Sequence, residues 1–501
     1  MAGLASKAAR GAGITLISQG LRLVVQLGSL LVLSRLLTPA EVGLYAMVMS
    51  VISVADIVRD FGLSSGAIQS PTLSAGERNN LFWANVGLGL LCGLAAAASA
   101  PLLAWIYGDP EVITVTLVLA GTFLISGATT QYRADLMRKL KFTSLALVDV
   151  GAQFVAATGA IIAAVAGLGL WAQVVQQWLA VVVLLLATMA LGRWLPGLYR
   201  RDVNIRKFFS FGWPILGTNV LGWAINNVDN IGIGAVLGPS AVGLYSRAYR
   251  LMLVPLGLTN VPFQNVALPV LSRVQEDRAI YDHYVRRMHL VSCYVLGLGF
   301  GVMGGLAAPL VAILLGSQWT AAAPVFAVLA AGGIFKALTV MFYQVYVSLG
   351  ETGRLFRMYL VTRPVMLALI LGGLPWGPLG VAFGHLIAAI WFWWYSLRRI
   401  AEMTSVPVSG VTAESSRAVF LVALPAALCA FGGTLLVGNA LLQVLVGGLA
   451  ALAWTTLISL LVPAIRRDMS TVLRNALMAL PARLAGKLTP KARYRGAHRH
   501  N

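Results

Sequence analysis

The sequence predicts an all-α polytopic membrane protein of about 14 transmembrane helices, arranged as two parallel six-helix lobes plus two C-terminal helices. Its composition, the distribution of its basic residues and an internal repeat support this. Of 501 residues 58% are hydrophobic and only 11% are charged, whereas a soluble domain carries about 25% charged residues. Apolar stretches of roughly 20 residues, long enough to cross a hydrocarbon core, recur along the chain.

These stretches define the expected spans and domains. The spans are predicted near 13–34, 43–65, 81–104, 112–133, 145–165, 168–190, 209–235, 243–268, 288–314, 320–348, 355–373, 380–397, 415–436 and 441–463. We expect an N-lobe at 1–200, a C-lobe at 201–400, spans 13 and 14 at 401–465, and a basic cytoplasmic tail at 466–501.

The basic residues orient the chain. Outside the predicted spans, every Lys and Arg except Arg35 falls in loops on one side. Short cytoplasmic loops retain basic residues, so both termini are predicted to be cytoplasmic. This bias accounts for most of the net charge of +20. The charge is therefore no sign of nucleic-acid binding, and no nucleic-acid partner is expected. We expect the basic tail to lie on anionic headgroups.

A repeat relates the two lobes. Six residues recur 200 positions later in the chain: Leu37, Pro39, Val42, Gly43, Leu44 and Tyr45 return as Leu237, Pro239, Val242, Gly243, Leu244 and Tyr245. The offset covers an even number of spans, so the copies are parallel. Transporters with parallel repeats bind substrate where the halves meet.

Polar residues follow one face of the first helix of each lobe. The stripe in the first span is Thr15, Gln19, Arg22, Gln26 and Ser29, within a sector of about 80°. Gln19 and Gln26 correspond to Asn219 and Asn226 at the same offset. We predict that these faces line a cavity between the lobes; the alternative is hydrogen bonding between helices.

Basic residues outnumber acids within the predicted spans. The predicted contacts to an anionic substrate group such as a pyrophosphate are Arg22, Arg247, Arg250, Lys336 and Arg363. Snorkelling to the interface explains Arg133, Arg357 and Arg417, which lie at cytoplasmic ends of spans.

Acidic residues within spans are candidates for coupling transport to an ion. Asp56, Arg59 and Asp60 have the spacing of neighbours on one helix, as either a neutral structural cluster or a switchable ion pair. Asp149 and Asp229 are expected to be isolated candidates. His385 is expected to be a packed, hydrogen-bonded residue.

Catalysis by the chain is not indicated. There is no Walker loop, no set like Ser-His-Asp and no metal-ligand spacing in the sequence, so we expect no cofactor, no metal and no enzyme. The predicted loops on the side opposite the termini are at most about eight residues long, too short for the active site of a glycan polymerase or ligase.

Several motifs together are characteristic of one family. They are SRLLTPAEVGLY at 34–45, DFGL at 60–63, ADLMRKLKF at 134–142, GLGLWAQVVQQW at 167–178, VLGPSAVGLYSRAYRLMLVP at 236–255, LPVLSRVQED at 268–277 and LLGSQW at 314–319. From about residue 5 to 400, the chain resembles bacterial polysaccharide repeat-unit flippases of the colanic acid exporter type, within the multidrug/oligosaccharidyl-lipid/polysaccharide exporter superfamily.

The resemblance implies translocation of undecaprenyl-pyrophosphate-linked oligosaccharide across the bacterial inner membrane by alternating access, in polysaccharide or lipopolysaccharide biosynthesis. The expected partners are this lipid-linked oligosaccharide, membrane lipids and polysaccharide polymerase or export machinery. Two transporters of the same superfamily stay open as alternatives, a peptidoglycan-precursor flippase and a drug/cation antiporter. A membrane glycan polymerase or ligase is the alternative from another class.

Overall fold

Helices are the regular secondary structure of the part of the chain that the structure describes. The structure is a computed structural model that describes residues 2–70, 72–404 and 406–479, and it contains no strand within those ranges. The helices that precede residue 200 are α1 (Ala2–Leu36), α2 (Pro39–Ile52), α3 (Val54–Asp60), α4 (Leu63–Gln69), α5 (Ala75–Tyr107), α6 (Glu111–Arg138), α7 (Phe142–Val165) and α8 (Trp171–Gly192).

The helices that follow residue 200 include the last two spans. They are α9 (Arg206–Leu237), α10 (Pro239–Arg273), α11 (Arg278–Gly305), α12 (Ala307–Leu314), α13 (Ala322–Thr339), α14 (Phe342–Ser348), α15 (Thr352–Gly372), α16 (Gly377–Ala401), α17 (Val408–Ser416), α18 (Leu424–Thr434), α19 (Ala440–Leu461) and α20 (Pro463–Ala479). A π-helical segment, Arg417–Ala423, joins α17 to α18.

Every predicted span falls on a helix or on consecutive helices. Within the described ranges, 11 stretches are long and apolar enough to cross a membrane, and one of them, Thr352–Ala401, contains both α15 and α16. The helices α9 and α10 add stretches of 32 and 35 residues. The prediction of an all-helical, multi-pass membrane protein is confirmed.

The second span is interrupted where the DFGL motif begins. Phe61 and Gly62 have φ angles of 42° and 69°, so the backbone turns left-handed between α3 and α4. Glycine adopts this conformation at little cost, whereas phenylalanine does so rarely. The break lies between Asp60, the last residue of α3, and Leu63, the first residue of α4. The acidic cluster predicted at residues 56–60 therefore lies entirely on α3.

Two helices begin at capping boxes. Thr38 accepts a hydrogen bond from the backbone of Glu41 before α2, and Ser74 accepts one from Glu77 before α5. In each case the glutamate side chain bonds back to the backbone of the capping residue. Such reciprocal bonds satisfy amide groups that would otherwise lack partners at a helix start.

The helices group into two compact units. The first comprises Met1–Leu251, Leu310–Phe326 and Arg363–Ala388, and the second comprises Met252–Pro309, Ala327–Thr362 and Ala389–Asn501. In the first unit, α5 packs along α6, and α7 packs against both α8 and α1. In the second unit, α11 packs against α17, the π-helical segment and α18. The lobe boundaries at residues 200 and 400 stay a prediction.

The repeated motif starts two helices that meet inside the first unit. A Cβ on Gly43 would overlap the carbonyl group of Pro239, and a Cβ on Gly243 would overlap that of Pro39. The glycine of each copy therefore packs against the proline of the other copy. This reciprocity is typical of two elements related by a two-fold axis.

The predicted basic tail begins as a helix. Helix α20 packs on α11 and α19 within the second unit, where Ile465 is fully buried and Val472 is nearly so. Arg466 and Arg467 are exposed on its other face. The remainder of the predicted tail, 480–501, lies outside the described residues.

Candidate functional site

A polar cavity of about 250 Å³ lies inside the first unit. Its polar lining consists of Gln26, Ser29, Tyr45, Gln153, Gln173, Gln176, Gln177, Arg247 and Arg250. The lining contains five glutamines and two arginines, and none of the residues that line it is acidic. Residues of both predicted lobes contribute. The cavity can therefore offer many neutral hydrogen bonds and two positive charges.

Helical periodicity brings these side chains together. Gln26 and Ser29 belong to the polar stripe of α1, and Gln176 donates a hydrogen bond of 3.1 Å to the Ser29 hydroxyl. Arg247 and Arg250 are one helical turn apart on α10, so both can reach the same space. Of the predicted binding residues, the structure places Gln26, Arg247 and Arg250 in this lining.

Sequence reasoning missed the glutamines of α7 and α8. Gln173, Gln176 and Gln177 stand at i, i+3 and i+4 within GLGLWAQVVQQW, a spacing that places them on one helix face. This spacing is the signal in the sequence that could have identified one wall of the cavity. Gln153 lies one helical turn after Asp149 on α7, a spacing that places both polar side chains on one face of that helix.

Arg247 is the most buried charge in the cavity. Its exposed fraction is 3%, and its guanidinium carbon lies 5.8 Å from the centre of the Trp319 ring. Within the described residues, its Nε and Nη2 atoms have no hydrogen-bond partner. A buried guanidinium with unused donors is costly unless an anion completes it. Arg250, in contrast, is exposed.

Trp319 holds together two of the motif segments. Its indole Nε1 donates a hydrogen bond of 2.5 Å to the carbonyl oxygen of Ser34. The neighbouring Gln318 donates to the carbonyl oxygens of Ser34 and Leu37, at 2.5 and 2.9 Å. The LLGSQW segment is thus bound to the SRLLTPAEVGLY segment beside Arg247.

Arg22 lies in a charge cluster and not in the cavity lining. Its Nη1 atom is 3.4 Å from Oδ2 of Asp149, and Arg133 binds the same carboxylate through Nη1 and Nη2. The expectation that Asp149 is isolated is therefore wrong, because it joins α1, α6 and α7. The ion pair, and not snorkelling, also accounts for Arg133.

The acidic cluster of the second span is only partly as predicted. Asp56 and Arg59 form an ion pair of 3.5 Å. Arg59 also donates to the Ser126 carbonyl oxygen and the Thr130 hydroxyl on α6, at 2.9 and 2.6 Å. Asp60 instead accepts a hydrogen bond of 2.6 Å from Ser64.

Asp229 is a buried carboxylate with two partners. Tyr245 donates to its Oδ2 atom at 2.9 Å, and Nε2 of His385 lies 3.1 Å from the same oxygen. All three residues are buried. The expectation that Asp229 is isolated is wrong, whereas the expectation of a packed, hydrogen-bonded His385 is confirmed.

The remaining predicted residues do not line the cavity. Gln19, Asn219 and Asn226 are exposed along α1 and α9. Arg363 is half-buried on α15 in the first unit, and Lys336 is half-buried on α13 in the second unit. Their predicted contacts with substrate stay predictions.

The fold and the cavity define a polytopic helical membrane protein with a cationic, glutamine-lined cavity inside one unit. The sequence model described as "Polysaccharide biosynthesis protein" matches residues 32–324. The chain belongs to this polysaccharide biosynthesis protein family.

Relatives from three bacteria illustrate the family. The chain is 24% identical over 388 residues to the lipopolysaccharide biosynthesis protein WzxC of Escherichia coli, covering 75% of this chain and 76% of that protein. It is 26% identical to the teichuronic acid biosynthesis protein TuaB of Bacillus subtilis, over 66% of this chain and 68% of that one. It is 24% identical to the succinoglycan biosynthesis transport protein ExoT of Rhizobium meliloti, over 60% of each.

Solved structures share the fold. The lipid II flippase MurJ, in an inward closed conformation, matches with a TM-score of 0.70 and 16% identity, over 90% of this chain and 98% of that one. An inward-facing multidrug resistance transporter of the MATE family matches with a TM-score of 0.55 and 13% identity, over 76% and 95% of the two chains.

Proposed function

We propose that the chain is a flippase that moves undecaprenyl-pyrophosphate-linked oligosaccharide repeat units across the bacterial inner membrane by alternating access. The observation that carries the proposal is the cavity around Arg247. It combines a buried guanidinium that has unused donors with a wall of glutamines. A pyrophosphate needs charged donors, and sugar hydroxyls need neutral donors and acceptors.

Each part of the substrate then has a place. Arg247 and Arg250 bind the pyrophosphate, and the glutamines of α1, α7 and α8 bind the sugar. The polyprenyl tail stays in the lipid. The names of the relatives support a role in polysaccharide biosynthesis, and the chain acts as a transporter and not as an enzyme. Both termini lie in the cytoplasm, in line with the positive-inside distribution of basic residues.

Asp229 and His385 form the proposed coupling site. Nε2 of His385 contacts one carboxylate oxygen of Asp229. Inside a membrane, such a carboxylate and imidazole pair can gain one positive charge by taking up a proton. Such a change alters the balance of charge inside a helical unit and can bias it between two arrangements. Asp56 with Arg59, Asp60, and Asp149 remain further candidates for this coupling.

Deleting the gene in the organism that carries it tests the proposed function. Lipid-linked repeat units should accumulate on the cytoplasmic face, and the surface polysaccharide should be lost. Complementation with the wild-type chain should restore it. Lysis on deletion would favour the peptidoglycan-precursor flippase, and increased sensitivity to cationic drugs with normal polysaccharide would favour the antiporter. Normal polysaccharide with no accumulation would overturn the proposal.

A further inference from the structure

Arg35 is the basic residue that breaks the charge pattern of the sequence, because it falls in a loop on the side predicted to be extracytoplasmic. In the structure its Nη2 atom donates a hydrogen bond of 2.6 Å to the carbonyl oxygen of Ile313, in the last turn of α12. A carbonyl group in the last turn has no partner within its own helix, and a cation there complements the negative end of the helix dipole. Arg35 therefore caps α12.

The capping is reciprocal, because the segment that follows α12 caps α1. Gln318 donates hydrogen bonds to the carbonyl oxygens of Ser34 and Leu37 at the end of α1. The indole of Trp319 donates to Ser34 as well. Together with the bond from Arg35, these bonds join the end of α1 to a connection from the other half of the sequence. All of these residues lie in the first unit.

The reciprocal caps lie next to the polar cavity. Leu33 of α1 belongs to the cavity lining, and Ser34 is the next residue along the helix. The Trp319 ring is fully buried and lies 5.8 Å from the guanidinium carbon of Arg247, a cavity residue. The two copies of the repeated motif, which pack against each other through glycine and proline, begin on the same side. The caps therefore close the end of the cavity that faces the predicted extracytoplasmic side.

We infer that Arg35 and Gln318 form an extracytoplasmic gate for the cavity, and that this structure shows the gate closed. The inference rests on the proposed alternating access, in which the cavity opens to each side of the membrane in turn. Opening outward separates the end of α1 from the connection between α12 and α13 and breaks the caps. Both gate side chains are exposed, so water can replace the broken bonds and the net cost of opening is modest.

The rate at which a cavity cysteine reacts with a membrane-impermeant thiol reagent tests the gate. Ser29→Cys supplies this cysteine, in the full-length chain with its three native cysteines replaced by alanine. The reagent is added to right-side-out and to inside-out membrane vesicles. Gln318→Glu keeps the size of the side chain but removes both donated bonds. It should raise labelling from the extracytoplasmic side roughly tenfold, as expected for the loss of two ordinary hydrogen bonds, and should not raise labelling from the cytoplasmic side.

Gln443→Glu is the matched control. Gln443 also donates to a backbone carbonyl oxygen, that of Val437 at 3.0 Å, in a loop predicted to lie on the same side of the membrane. It belongs to the second unit, so its substitution should leave both labelling rates unchanged. Arg35→Gln removes the cap on α12 and should raise extracytoplasmic labelling in the same direction as Gln318→Glu. This second variant keeps the test decisive where Gln318→Glu does not fold.

Two results would overturn the inference. Equal increases in labelling from both sides would show that the caps only stabilise the fold. Unchanged extracytoplasmic labelling in both gate variants would show that the caps do not control access to the cavity. The vesicles contain no added substrate, so neither result bears on what the chain transports, which the deletion phenotype tests separately.

Discussion

Gly43 lies against the carbonyl group of Pro239, and Gly243 lies against that of Pro39 in the same way. The four residues belong to the two copies of one sequence motif. Two helix starts can approach so closely only where neither has a side chain at the contact. The two copies of the parallel repeat, which are 200 residues apart in the sequence, therefore contact each other through these four residues.

Substituting either glycine should destabilise the first unit. A Cβ at Gly43 would overlap backbone atoms that cannot rotate away, so Gly43→Ala should cost about 1–3 kcal/mol, the usual range for overpacking. Thermal unfolding in detergent measures this. Gly28→Ala in α1 is the control, since a Cβ there meets nothing within 4 Å. Equal stability of the two variants would contradict the close contact.

Asp149 should be important for stability because two arginines depend on it. Asp149→Asn would leave Arg22 and Arg133 with no carboxylate, at a cost of roughly 2 kcal/mol for a partly buried cluster. Arg22→Gln should cost less, because Arg133 keeps both of its bonds. Glu402→Gln, which removes the exposed Arg399–Glu402 pair, should cost at most about 1 kcal/mol. Unfolding curves that rank the variants in another order would refute this account of the cluster.

Asp229 should couple transport to the proton gradient. Asp229→Asn keeps the size of the side chain and its ability to accept a hydrogen bond from Tyr245, but it removes the ionisable group. Proteoliposomes with the variant should bind lipid-linked oligosaccharide normally and should no longer respond to an imposed pH gradient. Tyr245→Phe removes one hydrogen bond only and should keep the response. An unchanged gradient response in Asp229→Asn would exclude this carboxylate as the coupling group.

The sequence allowed the helices and part of the cavity to be predicted. Hydropathy was sufficient to predict the positions of the spans, and the basic residues were sufficient to predict an orientation, because each pattern reflects a requirement of the bilayer. Arg247 and Arg250 could be selected because a charge inside a span is costly without a role. Gln26 could be selected because it belongs to the polar stripe that repeats with the helical period along the first span.

The partners of these residues could not be predicted, because they come from distant parts of the chain. Asp149 meets Arg22 across 127 residues, and His385 meets Asp229 across 156. Spacing along one helix carries no information on such contacts, so both carboxylates looked isolated. Helix α20 was not predicted, because its apolar face, formed by Ile465 and Val472, is short and lies in a segment that also contains Arg466, Arg467 and Arg474.

The cavity around Arg247 can be tested most directly by measuring translocation of lipid-linked oligosaccharide in proteoliposomes. Arg247→Gln should lower the initial rate about tenfold or more, since a hydrogen bond to a charged group contributes about 1.5–3 kcal/mol. Arg201→Gln, at an exposed position outside the cavity, should translocate at the wild-type rate. Wild-type translocation by Arg247→Gln, in a variant that unfolds at the normal temperature, would contradict the proposed role of this cavity.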